Sequence, residues 1–256
     1  MYTIAIVGYG GMGGWHAKQL LSLPEEFRLA GVYDINPERI DAAEKEGIHG
    51  YRSLEELLAD PEIRTVILAV PNNFHKPLSI QAMQAGKNVI CEKPVMLNAA
   101  ELEEVMAVAK ETGRQFSVHQ NRRWDKDFLI VKKIIEDGTI GKPFYIESRV
   151  QGSKGIPGDW RCVKEAGGGM LLDWGVHLID QLMYLVDSPG RGGHLHLHQP
   201  APLARFRRRG HRPGGRLLLH GEDREGPHRG NALGAGHCLH GGRPHPHHGP
   251  PAQRDH

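Results

Sequence analysis

The chain has 256 residues, 39% of them hydrophobic and 24% charged, which suits a folded globular protein and excludes a collagenous or wholly disordered one. No apolar run approaches the roughly 18 to 20 residues of a membrane span, and the apolar opening Tyr2–Val7 is too short for a signal peptide, so a cytoplasmic location is expected. Cys91, Cys162 and Cys238 are odd in number and far apart, which points to neither a disulfide framework nor a cysteine-built zinc site, and no other metal site is expected.

Strand and helix signals alternate from the start. Tyr2–Val7 is a short apolar run stopped by Gly8, and 12–23 carries Trp15, Ala17, Leu20 and Leu21 at helical spacing. Leu29–Tyr33 is the next strand, and Pro37 opens a helix to about Glu46. Ser53 and Glu56 form a capping box for 54–59, and the β-branched run Thr65–Val70 reads as a strand buried on both faces. Further along come a helix over 76–85, a strand at Asn88–Cys91, a helix over 99–112 capped by Asn98 and ended by Gly113, and a strand at 115–119. This rhythm predicts an α/β protein with a doubly wound parallel sheet in residues 1–120. Residues 121–189 change pattern, with a helix near 128–137, a strand at 143–151, a glycine-rich loop and an apolar helix over 170–186, and read as an incomplete second α/β domain.

The last stretch is of another kind. Residues 1–189 carry 21 Lys and Arg against 26 Asp and Glu, whereas residues 190–256 carry 11 Arg, no Lys and 4 acids. Gly, His, Arg and Pro make up 45 of those last 67 residues, with no Ile, Val, Met, Tyr, Trp, Ser or Thr. Such a composition cannot supply a packed core or a sheet, and the segment is expected to be disordered.

Gly8-Tyr9-Gly10-Gly11-Met12-Gly13 fits a GxGxxG turn. It follows a strand, opens a helix and is trailed by Asp34 at the end of the second strand. That context predicts a dinucleotide site, the alternative being a purely structural glycine turn. Glycines allow backbone to approach a pyrophosphate, and the helix N-terminus offers N–H groups and partial positive charge. Asp34, with Ile35 beside it, is expected at the adenosine ribose, where a carboxylate accepts from the hydroxyls and repels a 2′-phosphate. NAD is therefore expected over NADP. Pro71, Asn72 and His75, and the triplet Glu92-Lys93-Pro94, follow two apolar strands at the same sheet edge and face one crevice. Lys93 can donate to a substrate hydroxyl there, or be a solvated strand-end lysine. Asp173 and His177 stand four apart on one helix face, where imidazole can take an alcohol proton, or they are an ordinary helix-start acid and a core histidine.

Together with Asn72-Asn73-Phe74-His75, Asn121-Arg122-Arg123-Trp124 and Gly167-Gly168-Gly169, these motifs resemble the Gfo/Idh/MocA family of oxidoreductases, from about Tyr2 to Asp187. The resemblance implies a Rossmann domain, a second α/β domain with a large open sheet, homo-oligomers, and NAD(P)-linked oxidation of sugar or cyclitol hydroxyls. It assigns catalytic roles to Lys93, Asp173 and His177. Asn121, Arg122, Arg123, Trp160 and Arg161 are candidate substrate-pocket residues, each of which could equally be a surface or packing residue.

The strands that complete the family's second domain are missing from 190–256. Of those 67 residues, 64 can be encoded by codons beginning with G or C, the bias expected if the wobble bases of a GC-rich gene were read as first bases. An out-of-frame tail is the expected explanation; a histidine-rich metal tail, or polyanion binding through Arg205–Arg209, is the alternative, with no membrane or specific nucleic-acid partner expected. On this reading the chain binds NAD weakly and turns over little. A non-catalytic nucleotide-binding protein and an NAD-dependent glycosidase are the competing functions.

Overall fold

The computed structural model describes residues 1–151 and 156–186, and the backbone of 215–221. In chain order the first part runs β1 (Tyr2–Val7), α1 (Gly11–Leu21), β2 (Phe27–Tyr33), α2 (Pro37–Lys45), α3 (Leu54–Ala59), β3 (Thr65–Leu68), α4 (His75–Gln84), β4 (Asn88–Glu92), α5 (Ala99–Thr112) and β5 (Phe116–His119). All five strands are parallel, in the order β2-β1-β3-β4-β5. A single parallel bridge from Val32 to Gly50 adds one more pairing outside β2. With it the sheet is wound outward in both directions from the β1/β3 boundary, and the crevice at the carboxyl end of that boundary is where such sheets bind ligands.

Alternation along the strands sorts the core. Ala5, Val7, Val66, Leu68, Val89 and Cys91 face one side, where Leu57, Met83 and Val105 cover them. Ile4, Ile6, Val32 and Ile67 face the other, against Ala17, Leu20, Ala43 and Ile48. Strand side chains alternate with period two, so a sheet covered by helices on both sides needs near-continuous apolar strands. β3 is shorter than its apolar run suggests. Beyond Leu68 only the Ala69 N–H still reaches Val7 O, at 2.8 Å.

The helix starts follow the sequence signals. Asn36 accepts from Glu38 N at 3.0 Å, Ser53 from Glu56 N at 3.1 Å, and Asn98 from Glu101 N at 3.0 Å. Glu101 in turn accepts from Leu97 N at 3.1 Å, and Gly113 closes α5 at φ 64°. Each cap satisfies amide groups that the first turn leaves without a helical partner.

After His119 come a 3-10 turn (Asn121–Trp124), α6 (Lys126–Glu136), β6 (Pro143–Val150), two 3-10 turns (Trp160–Cys162 and Lys164–Ala166) and α7 (Val176–Leu185). α7 packs on α6, β6 and the first of these turns. Two expectations are corrected here. The helix expected over 170–186 begins as a π turn, Leu171–Gly175, and only then becomes α-helical. The tail does contribute to a sheet: β7 (Gly215–Gly221) pairs antiparallel with β6, from Tyr145 opposite His220 to Val150 opposite Gly215. Main-chain groups let a strand with no β-branched residue join the ladder, and Leu217-Leu218-Leu219 is the tail's one run of three leucines. The other expectations for the tail lie outside the described residues. Among the described residues no helix is long and apolar enough to cross a membrane.

Asn98→Ala should lower stability by about 1 kcal/mol, the usual cost of losing an N-cap side chain. Urea unfolding with an unchanged slope and a lower midpoint would show it; an unchanged midpoint would contradict the capping account.

Candidate functional site

The turn between β1 and α1 is built so that only glycine fits at its critical points. Gly8 has φ 92°, and a Cβ there would lie 2.4 Å from Ala69 O. A Cβ on Gly13 would lie 1.9 Å from Gly8 O, so the third glycine of the motif lets α1 pack on the strand that feeds it. Around Gly11 the space is open. Gly10 is the N-cap of α1, with no side-chain cap and no acid in the first turn. The first-turn N–H groups of an eleven-residue helix, Met12 among them, are thus available to an anion.

Asp34, one residue past β2, is buried. Its Oδ2 accepts from Tyr9 N at 2.7 Å and from Arg39 Nη1 at 3.1 Å, and its Oδ1 from Asn36 N at 2.9 Å. Ile35 beside it is 85% exposed, an apolar surface at the same edge. Open glycine backbone, a bare helix N-terminus and a buried carboxylate at the end of β2 suit a dinucleotide.

Glu92 ends β4 in the same crevice. Its Oε1 accepts from His16 Nε2 at 2.7 Å and His119 Nδ1 at 2.9 Å, and its Oε2 from Lys93 N at 3.2 Å. Burial alone would raise this carboxyl, but the hydrogen bonds from His119 and His16 outweigh it and hold the group down at about 2. Lys93 points toward the second part of the chain. Its Nζ donates to Asp173 O at 2.8 Å and to Asp173 Oδ1 at 2.9 Å, joining residues 80 positions apart.

His177 lies one turn beyond Asp173 and is 4% exposed. Its Nδ1 is buried without a hydrogen-bond partner. Burial, with the Lys93 and Arg122 cations nearby, pushes its pKa down to about 4, so the ring is neutral at pH 7. The expected i, i+4 helical spacing of Asp173 and His177 is altered, because Asp173 sits in the π turn and His177 in the α-helix after it.

The other expected site residues divide. Asn72 is buried and donates from Nδ2 to Gly167 O at 2.7 Å, tying the glycine-rich loop to the end of β3 just after Pro71. His75 is fully buried, its ring nitrogens facing Pro94 O at 2.8 Å and Val70 O at 3.1 Å. It braces the two strand ends rather than opening onto the crevice. Arg122 lies over the Trp174 ring at 4.2 Å, and Arg123 makes a bidentate pair with Asp180 at 2.8 and 2.6 Å. Arg161 stacks over Trp160 at 4.6 Å and reaches within 3.8 Å of Asp173 Oδ1. Asn121 opens the 3-10 turn that carries Arg122 and Arg123.

A cavity of about 320 Å³ is walled by Lys93, Gln120, Arg123, Leu172, Val176 and Asp180 among others. Lys93 is the residue it shares with the Lys93–Asp173 pair. Asn121, Arg122, Trp160 and Arg161 are not on its wall. Sequence reasoning missed Arg39, His16, His119 and Asp180. The first stands five residues after Asp34 and the second three after Gly13, close enough to have been flagged by position.

Fold and crevice define a nucleotide-binding protein of the Rossmann class. A family model described as an oxidoreductase family with an NAD-binding Rossmann fold matches residues 2–120, and one for the GFO/IDH/MocA C-terminal domain matches residues 128–210. The chain belongs to the Gfo/Idh/MocA family. It is 34% identical over 189 residues to a scyllo-inositol 2-dehydrogenase (NADP(+)) of Bacillus subtilis, covering 73% of this chain and 52% of that protein. It is 31% identical over 185 residues to a myo-inositol 2-dehydrogenase of Thermotoga maritima, covering 72% and 54%. The crystal structure of an NAD-binding protein from Listeria innocua superposes with a TM-score of 0.71 at 52% identity, covering 73% of this chain and 55% of that one. The chain thus spans about half the length of the curated relatives it matches.

The depressed His177 pKa has a consequence for stability. Between its ordinary value near 6.5 and about 4, the unfolded chain takes up a proton that the folded chain refuses, so stability falls as pH drops through that window. His177→Gln should remove this part of the slope in urea unfolding measured between about pH 4 and 7. An equal slope in the variant would show that His177 titrates normally.

Proposed function

We propose that the chain carries the cofactor-binding and proton-handling residues of an NAD(P)-linked dehydrogenase acting on a hydroxyl of a sugar or cyclitol. The observation that carries this reading is the Lys93 ammonium held on Asp173 one turn before a neutral, buried His177 with an unpartnered Nδ1. A bound dinucleotide supplies a nicotinamide C4 that takes up hydride. Lys93 donates to the substrate oxygen and stabilises the negative charge that grows on it as the O–H proton departs. His177 Nδ1 receives that proton, and Asp173 fixes the direction of the lysine. The cavity's volume, about 320 Å³, lies at the small end of ligand sites, and the Arg123–Asp180 pair on its wall offers donors and acceptors to further hydroxyls. The inositol dehydrogenase names of two relatives agree with that substrate class.

For the cofactor, Asp34 favours NAD, because a 2′-phosphate would meet a buried carboxylate. Arg39, which pairs with Asp34 and is itself half exposed, is the group able to turn onto a 2′-phosphate. NADP should therefore bind, more weakly than NAD. Arg39→Ala should weaken NADP by about tenfold or more, the worth of a charge-assisted hydrogen bond, and leave NAD within a fewfold. Calorimetry with both dinucleotides checks this; equal losses for the two would remove Arg39 from the role.

Single-turnover reduction of NAD with a panel of polyols should be detectable, and Lys93→Ala and His177→Ala should each slow it by about 10²–10⁴ while NAD still raises the melting temperature. NAD-dependent stabilisation with no reduction by any polyol would support the non-catalytic reading instead.

A further inference from the structure

One cluster in the crevice supplies no reacting group to the hydride and proton steps above. His16 comes from the inner face of α1, Glu92 is the last residue of β4, and His119 the last of β5, directly opposite Glu92 in the ladder. One ligand atom from each, two imidazole nitrogens and a carboxylate oxygen, lie within 4.8 Å of one another. Glu92 Oε1 is 2.7 Å from His16 Nε2 and 2.9 Å from His119 Nδ1. The two rings meet edge-on at 4.6 Å between centroids, with Trp15 against both. His16 and Glu92 are buried, while the His119 side chain is 26% exposed.

We propose that His16, Glu92 and His119 form a binding site for a divalent transition metal, Zn(II) being the best match, beside Lys93 at the carboxyl edge of the sheet. Two imidazoles and one carboxylate are the borderline nitrogen and oxygen donors that Zn(II) prefers over Mg(II) or Ca(II), and three protein ligands leave a fourth position open. Bonds of about 2.0–2.2 Å at tetrahedral angles place ligand atoms roughly 3.3 Å apart. Glu92 Oε1 would need to draw back from the two nitrogens by about half an ångström, and the nitrogens, within 4.8 Å of each other, would need to close toward the same spacing. The protons also balance. In the hydrogen-bonded arrangement each neutral ring presents an N–H to Glu92; on metal binding that proton passes to water and the ring's other nitrogen takes one up from water, a tautomer change with no net gain or loss of protons, and the freed lone pair binds the ion. Glu92 Oε2 stays fixed by Lys93 N, the kind of outer contact that orients a ligating carboxylate. The open position falls on the His119 side, where the cluster reaches solvent.

The site is independent of the dehydrogenase reading and can be tested without activity. The tail's 12 histidines are a competing source of ligands, so the test compares variants that all share the tail. The purified full chain, freed of metal, is titrated with Co(II) alone, following visible absorption and calorimetric stoichiometry, alongside His119→Gln and Glu92→Gln. The expected result is one equivalent and its absorption band lost, or weakened at least about tenfold, in both variants. His119→Gln, at the partly exposed position and still able to offer an amide N–H to Glu92, should keep a single cooperative melting transition, which separates lost ligation from lost folding. Identical spectra and stoichiometry in wild type and His119→Gln would overturn the proposal: the three side chains would be a hydrogen-bond network only, with the tail taking the metal. Binding of Zn(II) should displace Co(II) from the same equivalent; failure to do so would refute the choice of metal.

Discussion

The contact on which the candidate site depends is the one between Lys93 and Asp173. It is a double contact, to the side chain and to the main-chain oxygen of one residue, and both partners' side chains are 18% exposed. Partly desolvated charges of this kind are tolerable only when paired, because either one left alone would face an interior that cannot solvate it. The bond therefore constrains the register of the second part of the chain on the first. Asp173 must arrive at the end of β4, and the π turn that carries it delivers His177 next to the same lysine. Asn72 reaching to Gly167 O, and Gln120 Nε2 donating to Val176 O at 3.2 Å, secure the same approach on either side. Three hydrogen-bonded ties from three strand ends converge on one short segment.

That convergence is a property of parallel winding. Every strand of the sheet ends at the same edge, so residues that follow different strands meet there: the glycine turn after β1, Asp34 after β2, Asn72 after β3, Lys93 after β4 and Gln120 after β5. Their chemistry differs with depth. The glycines and Asp34 lie on one side of the β1/β3 boundary and present backbone amides and a carboxylate. On the other side lie Glu92, Lys93 and the helix bearing His177, where the ionisable groups gather. A ligand lying across the boundary would meet backbone amides at one end and ionisable side chains at the other, in the manner of an open α/β crevice.

Much of this was legible in the sequence because the signals were local. Ser53 with Glu56 and Asn98 with Glu101 mark helix starts through contacts three residues long, and Gly8 to Gly13 with Asp34 is a pattern on consecutive elements. Lys93, Asp173 and His177 are singled out by family resemblance; spacing alone leaves each of them open. What was not legible is long-range. His16 and His119 meet at Glu92 from elements 76 and 27 residues away; the place of His16 just after the glycine turn is a local hint, but nothing near His119 announces the meeting. For Asn72 and His75 the sequence indicates the sheet edge, while only the packed fold shows their polar atoms turned onto Gly167, Pro94 and Val70. The π turn at Leu171–Gly175 has no composition of its own. The β6–β7 ladder escaped because side-chain composition was used to judge a pairing that main-chain groups make.

The state of His177 shows how the parts constrain one another. A buried imidazole with a free nitrogen is useful as a base only if it stays neutral before the substrate arrives, and burial alone would achieve that at the expense of its readiness to accept a proton. Here burial is joined by Lys93 and Arg122, whose charges also disfavour the imidazolium, while Asp173 and Glu92 pull the other way. The balance is held by residues with other attachments: Lys93 is tied to Asp173, Arg122 is spread over Trp174, and Glu92 is committed to two histidines. Any ligand that engages the Lys93 ammonium, above all an oxygen gaining negative charge, offsets one of the two cations that hold His177 neutral. On the proposed reading, the proton affinity of the ring would rise as charge develops on a substrate oxygen, so Lys93 would both position the hydroxyl and set when His177 becomes the better base.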